Sequence, residues 1–184
     1  MPHIHKEAGQ HDATSSAYIV VERESAEPGI LLHLHKKIHV WMQFGGHVEL
    51  SETPWQAITH ELVEESGYRL SELELLQPRL RLDILQNAVS HPMPVNENTH
   101  LIDTGDGTPQ PHYHTDRGYA FVAKDLPALP PHEGESQDIK IMTAGEIEAI
   151  EQGMIPESTR QIALYVLRQV LPKYERVDPA IYES

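Results

Sequence analysis

The feature that most constrains the fold of this 184-residue chain is a helix whose start and end are both marked in the sequence. Thr53 is a typical N-cap, and Pro54 suits the first helical position because no amide hydrogen is needed there. Gln56 completes a capping box with Thr53, and Gly67 is typical of the residue that ends a helix. The sequence therefore predicts a helix over residues 54–66.

Three glutamates of this helix are spaced so that their carboxylates share one side of it. Glu64 and Glu65 follow Glu61 by three and four positions, which places all three on an arc about 100° wide. Like charges repel, and the helix contains no lysine or arginine that could offset them, so the arrangement calls for a cation. Oxygen ligands without cysteine favour Mg²⁺ or Mn²⁺ over zinc. A solvated acidic helix face is the simpler alternative, which the spacing alone leaves open.

The segment from residue 46 to residue 68 resembles the Nudix box. That pattern is Gly, five residues, Glu, seven residues, Arg-Glu, an aliphatic residue, any residue, Glu-Glu, any residue, Gly and an apolar residue. The matching positions are Gly46, Glu52, Glu61, Leu62, Glu64, Glu65, Gly67 and Tyr68. Two positions depart from it, since His60 stands where the family usually has Arg, and Phe44 stands where many members have Pro. Because imidazole lacks the guanidinium fork that orients the glutamates in the family, we expect His60 to do so more weakly.

The resemblance implies a single α/β domain with the Nudix fold, an α/β/α sandwich with a curved mixed β-sheet. We expect this domain to span residues 15–171. A polar, loose N-terminal arm over residues 1–14 would precede it, and a C-terminal tail over residues 172–184 would follow it. Dimers are common among similar proteins, so a homodimer is compatible with the resemblance.

The function that the resemblance implies is metal-dependent hydrolysis of a diphosphate linkage in a nucleoside diphosphate joined to another group. Glu61, Glu64 and Glu65 would hold Mg²⁺ or Mn²⁺, and water would attack one phosphorus in line with the leaving group. Gly45 and Gly46, interpreted as a tight loop after a strand, would let the backbone approach the metal or the substrate.

A further carboxylate is expected from the segment that follows residue 132. It resembles the late loop in which many family members place an additional glutamate near the metals. Glu135 is the preferred residue, ahead of Glu133 and Asp138. Either Glu65 or Glu135 would act as the general base, and the sequence does not choose between them.

Other functions on the same scaffold stay open. A catalytically weak Nudix-like domain would bind or sense a nucleotide without hydrolysing it, and the histidine at position 60 keeps this alternative open. Isopentenyl diphosphate isomerases also resemble this fold, but they rely on a catalytic cysteine, and this chain has none. An acidic scaffold without any ligand is the third alternative.

Charge and composition restrict the partners. The net charge is −14, with 28 acidic and 14 basic residues, whereas a protein that binds polymeric nucleic acid normally carries a basic stripe. A small phosphorylated, nucleotide-derived substrate is the expected partner instead. No apolar run approaches the roughly 18 residues of a membrane span, so we expect no membrane partner. The absence of cysteine fits a cytoplasmic protein.

Apolar patterns and turn residues predict the remaining elements. The predicted strands cover residues 17–22, 30–35, 39–43, 118–124 and 138–142, and residues 73–85 contain a further half-buried strand pattern, with the alternation at 78–85. Two later helices are predicted over residues 144–151 and 157–170. Residues 86–117 are rich in Pro, Asn, Gly, Thr and His, and are predicted to form a long loop.

A second pattern of metal-ligand type lies in this long loop. His112, His114 and Asp116 alternate, and alternate residues of an extended segment project in the same direction. They are therefore a candidate for a second metal site. A structural or surface role in a histidine-rich chain is the simpler interpretation, and the sequence favours it.

Overall fold

Two long parallel strands form the centre of the sheet. The computed structural model describes residues 8–24, 26–82, 87–103 and 110–182. Within them, β1 (His11–Val21) pairs in parallel with β7 (His112–Ala123) along its whole length. Both strands end in continuous apolar runs that are buried on both faces, as expected for strands covered by helices on either side.

The other strands extend this central pair on both sides. The described strands are β1 (His11–Val21), β2 (Gly29–Leu34), β3 (Trp41–Met42), β4 (Phe44–His47), β5 (Glu74–Gln77), β6 (Asn96–Ile102), β7 (His112–Ala123), β8 (Ile139–Thr143) and β9 (Glu175–Val177). The main order is β3-β2-β1-β7-β5-β9, while β4 pairs with β1, β6 with β7 and β8 with β2. Apart from the central pair, the pairings are antiparallel.

The helices begin where the caps predict, but two of them change geometry before they end. Helix α1 (Pro54–Glu61) continues as a π-helical turn over Leu62–Ser66, and Gly67 ends it with a φ of 78°. Helix α2 is Ala144–Ala149, and α3 (Glu157–Tyr165) continues as a second π-helical turn over Val166–Val170. Short 3₁₀ turns cover Leu70–Glu72 and Pro179–Tyr182.

Alternation along β1 divides the core into two layers. Ala17, Ile19 and Val21 face α1, where they pack with Trp55 and Ile58. The residues between them face the opposite way and pack against α2 and α3. Because helices cover both faces of the sheet, the architecture is the predicted α/β/α sandwich with a mixed sheet.

The segment predicted to contain a strand, residues 73–85, forms one in its first part only, and the alternating residues 78–82 are not in it. Strand β5 ends at Gln77, and Leu80 and Leu82 are 93% and 76% exposed. The preceding segment, which contains Leu75 and Leu76, takes the buried place beside β7 and β9 instead. Residues 83–86 lie outside the described residues.

The long loop predicted over residues 86–117 is also wrong. It contains β6 and the first six residues of β7. The two strands pair with each other from Asn96↔Gly118 to Ile102↔His112. Strand β6 has the polar sequence Asn-Glu-Asn-Thr-His-Leu-Ile and alternates between half-buried and exposed positions. Its pairing is made by the backbone, so the hydrophobic pattern gave no signal for it. Residues 104–109 lie outside the described residues.

Three further boundaries differ from the prediction. The predicted strand over residues 39–43 is divided into β3 and β4. Residues 11–14 of the predicted loose arm belong to β1, because backbone pairing with β7 orders polar residues that have no side-chain periodicity. The predicted tail contains β9, which pairs with β5, and the buried Tyr182. Residues 1–7, 25 and 183–184 lie outside the described residues, and no helix described here is long and apolar enough to cross a membrane.

Candidate active site

The three helix glutamates lie at the end of α1 and in the π-helical turn that follows it. Glu61 is buried, Glu65 is partly buried and Glu64 is exposed. A π-helical turn inserts an extra residue into the helical repeat, and such turns are frequent at functional sites. The helix therefore presents a graded set of carboxylates, from one enclosed by the protein to one that faces solvent.

The double glycine packs directly against these carboxylates. Gly45 and Gly46 lie in strand β4, antiparallel to β1, and not in the tight loop that the sequence predicted. The Gly45 amide donates a hydrogen bond to Glu65 Oε2 at 2.8 Å. A Cβ on Gly46 would collide with the carboxylate of Glu61, so the missing side chain leaves the room that this carboxylate occupies. In the described structure the two glycines thus position glutamates.

The surroundings of the glutamates disfavour negative charge. Burial raises the pKa of Glu65 to about 8, against the opposing hydrogen bond from Gly45, and Glu61, Glu135 and Glu64 raise it further. The pKa of Glu61 is also raised, mainly by burial, although His60 lowers it. Carboxylates held near one another in this way are stabilised in their charged form by a cation.

Glu135 is brought to this group by the loop before β8. The backbone amide of His132 donates a hydrogen bond to the carbonyl of Glu64 at 2.8 Å, and the backbone amide of Glu135 donates one to the carbonyl of His132 at 3.0 Å. Glu135 is close enough to raise the pKa values of Glu61 and Glu65. Glu133 and Asp138 are exposed. We call Glu61, Glu64, Glu65 and Glu135 the glutamate cluster.

His60 occupies the place expected for the family's arginine, between two acidic residues. Its Nδ1 lies 3.2 Å from Glu52 Oε2, and its Nε2 lies 3.7 Å from Glu61 Oε1. Glu52 in turn accepts a hydrogen bond from the Glu49 amide at 2.7 Å, so it braces the loop before α1. The imidazole thus links the loop to the buried glutamate, although without a bidentate contact.

The donor set of the glutamate cluster fits a hard divalent cation such as Mg²⁺ or Mn²⁺. Carboxylate oxygens are the ligands that these ions prefer, and the cluster offers them at the end of a helix beside a glycine strand. Its side chains are not drawn together as tightly as direct ligands would be. Among the described residues, the group of three metal-ligand atoms that all lie within 4.8 Å of one another consists of Asp12, His112 and His114.

This second group corrects the sequence interpretation of the alternating histidines. His112 and His114 converge, as their spacing predicts, but their acidic partner is Asp12 on β1. Asp116 instead accepts hydrogen bonds from Ser16 Oγ at 2.7 Å and Thr14 Oγ1 at 3.0 Å. Asp12 lies about a hundred positions from the histidines in sequence, so only the register between β1 and β7 identifies it.

Comparisons with known proteins agree on one family. The sequence pattern of the NUDIX domain matches residues 12–163. A hydrolase of the NUDIX family from Clostridium perfringens superposes with a TM-score of 0.63 at 26% identity, covering 84% of this chain and 95% of that one. No protein of curated function matches the chain in sequence.

Two more distant structures share the fold. The dihydroneopterin triphosphate pyrophosphohydrolase of E. coli has a TM-score of 0.57 at 15% identity and covers 90% of this chain and 99% of that one. The NUDIX domain of Shewanella oneidensis NrtR, solved in complex with ADP ribose, has a TM-score of 0.56 at 13% identity, with 90% of each chain covered.

Proposed function

The chain belongs to the Nudix family, and from that membership we propose that it hydrolyses the diphosphate linkage of a nucleoside diphosphate derivative with Mg²⁺ or Mn²⁺. It is a pyrophosphohydrolase of Nudix type whose substrate is unassigned. The observation that carries the finer proposal is the glutamate cluster, in which four carboxylates from a helix and a loop approach one another beside Gly45 and Gly46.

Three carboxylates of the cluster are the metal ligands in this proposal. Glu61 and Glu65 are held by packing on Gly46 and by the hydrogen bond from Gly45, so they are the fixed ligands. Glu64 is exposed and completes the ligand set from the solvent side. These residues would hold a divalent cation, which would supply neutralisation of phosphate charge and a lowered pKa of the attacking water.

The general base is either Glu65 or Glu135, and each has a physical argument. Glu65 has the raised pKa that suits proton uptake, while Glu135 lies on a separate loop that is hydrogen-bonded to the backbone of Glu64 and so borders the cluster. Glu135→Gln and Glu65→Gln distinguish them, because the loss of the base flattens the pH dependence of kcat, whereas the loss of a ligand raises the metal concentration needed. Glu133→Gln is the matched control, since it removes an exposed carboxylate from the same loop.

The experiment that tests the function is a hydrolysis screen with Mg²⁺ and Mn²⁺. The panel contains ADP-ribose-like compounds, nucleoside triphosphates, dinucleoside polyphosphates and non-nucleotide diphosphates, and Glu64→Gln serves as the blank. We expect metal-dependent release of phosphate or nucleoside monophosphate from one of these classes, reduced by at least about 100-fold in the blank. Turnover within twofold of the parent in Glu64→Gln would refute the metal assignment.

The second candidate function is nucleotide binding without turnover. It is favoured by His60, which replaces the bidentate contact of an arginine with two single contacts to acidic groups. A nucleotide that raises the melting temperature in the presence of Mg²⁺ and is recovered intact would support this sensor function over the hydrolase.

A further inference from the structure

Four side chains that the proposed hydrolysis does not use converge on one face of the sheet. We call Asp12, His47, His112 and His114 the histidine cluster. Asp12 and His112 are 4% and 0% exposed, and the His47 side chain is 17% exposed, so the cluster is largely enclosed by the protein. Three strands contribute to it, because Asp12 is on β1, His47 is on β4 and the other two are on β7.

The strand register explains why these residues meet. Asp12 pairs with His114 across β1 and β7, and His47 pairs with Thr14, the next residue of β1 on the same face. Successive side chains of a strand point to opposite faces. Ser15 points to the other face from Asp12 and Ser16. Its hydroxyl donates a hydrogen bond to the carbonyl of Pro54 in α1. The histidine cluster therefore lies on the face of the sheet opposite α1 and the glutamate cluster.

Two distances between histidine nitrogens in the cluster are close to the edges of a metal coordination shell, and the distances to Asp12 are longer. The Nε2 atom of His114 lies 3.0 Å from Nε2 of His112 and 3.3 Å from Nε2 of His47. Zinc bonds to imidazole nitrogen are about 2.0–2.1 Å long, so the corners of a tetrahedral zinc site are about 3.3–3.4 Å apart. Asp12 adds an oxygen 3.9 Å from His47 Nε2, and its ligand atom lies within 4.8 Å of those of His112 and His114.

The tautomer of His112 directs a lone pair into the cluster. His112 Nδ1 lies 3.2 Å from the carbonyl oxygen of Gln110, and since a carbonyl only accepts, this nitrogen carries the proton. In neutral His112 the Nε2 atom is then an unprotonated donor to a metal. A backbone carbonyl that fixes the outer nitrogen of a histidine in this way is the usual support of a metal ligand.

Hydrogen bonds among the histidines explain this geometry less well than an ion does. Each ring nitrogen has a single in-plane position, occupied by either a proton or a lone pair. His114 Nε2 approaches two other ring nitrogens at once, and its one proton or lone pair can form an in-plane hydrogen bond with only one of them. A cation at the centre uses all three lone pairs together.

We propose that the histidine cluster is a zinc site with Asp12, His47, His112 and His114 as ligands. Three imidazoles and one carboxylate form a ligand set that favours Zn²⁺ over the Mg²⁺ of the glutamate cluster. Four protein ligands leave no open position, so the ion is structural: it fastens the start of β1 to β4 and β7. The proposal does not depend on the hydrolytic function.

The test measures zinc in the full-length protein purified without a histidine tag and dialysed in excess Mg²⁺, which occupies carboxylate sites. We expect about one zinc per chain by mass spectrometry of the metal, and a melting temperature that falls by about 5 °C or more on chelation and recovers with Zn²⁺ but not with Mg²⁺. His114→Ala and Asp12→Asn should each lose this zinc. His11→Ala is the matched control, since it is adjacent to Asp12 and points to the other face.

Three results would overturn the proposal. In the first, the parent protein holds less than about a tenth of a zinc ion per chain after incubation with Zn²⁺. In the second, zinc persists in both ligand variants. In the third, zinc is lost instead in a His3→Ala/His5→Ala double variant. Should His114→Ala not fold, the near-isosteric Asp12→Asn remains. Co²⁺ bound to the parent is a second readout, since tetrahedral nitrogen and oxygen ligands give it intense visible absorption that Zn²⁺ abolishes and Mg²⁺ does not.

Discussion

The glutamate cluster and the histidine cluster are separated by one residue of β4 and by the thickness of the sheet. Gly46 faces the carboxylate of Glu61, and the next residue, His47, faces His114 on the opposite side. One cluster offers hard oxygen donors at the end of a helix and is open to solvent at Glu64. The other offers mainly nitrogen donors and is enclosed by three strands.

Under the two proposals, this difference separates a catalytic metal site from a structural one. A reactive metal site needs an open coordination position and adjustable ligands, whereas a structural site is closed and rigid. Burial raises the pKa values of Glu61 and Glu65, and Glu64 is exposed to solvent, whereas the histidines are held by strand register and by the contact of His112 with a backbone carbonyl. Four predictions can break or sharpen this contrast.

The largest expected effect is the loss of turnover in Glu65→Gln. Removing this carboxylate should lower kcat by about 10²–10⁴-fold, because it is either the base or a ligand. The melting temperature should not fall, since the pKa of Glu65 is raised and the folded state already disfavours its charge. Steady-state kinetics and thermal melting measure both. A variant that loses zinc together with activity would contradict the separation of the two clusters.

The two glycines of β4 should respond differently to alanine. In Gly46→Ala the new Cβ displaces only the end of the Glu61 side chain, so we expect a 10–100-fold loss in kcat/KM and a change in unfolding free energy below about 1 kcal/mol. In Gly45→Ala the Cβ meets the Ser15 backbone at a φ of 139°, which should cost about 3 kcal/mol or more. Equal losses of stability in the two variants, measured by urea unfolding, would contradict this assignment.

His33 provides a reference for a buried imidazole outside the clusters. Burial, and secondarily His35, lowers the pKa of His33 from 6.5 to about 4, and its Nδ1 has no hydrogen-bond partner among the described residues. The unfolded chain binds a proton on this imidazole below about pH 6.5, whereas the folded chain binds it only near pH 4. The free energy of unfolding therefore decreases as the pH falls from 7 towards 4.

His33→Leu tests this directly. Between pH 7 and pH 5, the parent should lose about 2 kcal/mol more unfolding free energy than the variant does, by urea titration at both pH values. If parent and variant lose the same unfolding free energy, His33 is not the source of the acid sensitivity, which then lies in the histidine cluster or elsewhere.

The smallest effect is expected at His60. Arginine at this position can contact Glu52 and Glu61 with a permanently charged fork, in place of two separate imidazole contacts of 3.2 and 3.7 Å. Because the side chain is 39% exposed, we expect only a two- to fivefold rise in kcat/KM, or about 0.5–1 kcal/mol. Equal or lower activity together with an equal or lower melting temperature would show that His60 is not a weakened arginine.

The contrast also explains what the sequence could predict. The capped helix and its three glutamates are local, since each residue is within one or two turns of the next, and the structure places them as predicted apart from the π-helical geometry. The resemblance pointed to the loop of Glu135, which stays a proposed site residue and lies near Glu61 and Glu65. The sequence did not predict that Gly45 and Gly46 lie in a strand, because glycines give no strand signal.

The histidine cluster could be predicted only in part. The alternation of His112 and His114 indicates candidate metal ligands. As their partner the sequence favours Asp116 over Asp12 and His47, which are remote along the chain. Their contact depends on the β1–β7 and β1–β4 registers, and polar strands such as β6 and the start of β7 give no hydrophobic pattern from which a register can be read.

The central parallel pair also determines the order in which this chain can fold. Partners across β1 and β7 are 102 positions apart, as Ala17 and Tyr119 are (119 − 17), so this ladder closes a long loop. During synthesis, β1 and β2 emerge early and can form their hairpin, but the other edge of β1 stays without its partner until residue 123 has left the ribosome. The apolar run Ala17–Val21 lacks its β7 partner for that interval, which makes it prone to aggregation in a slowly translated or truncated chain.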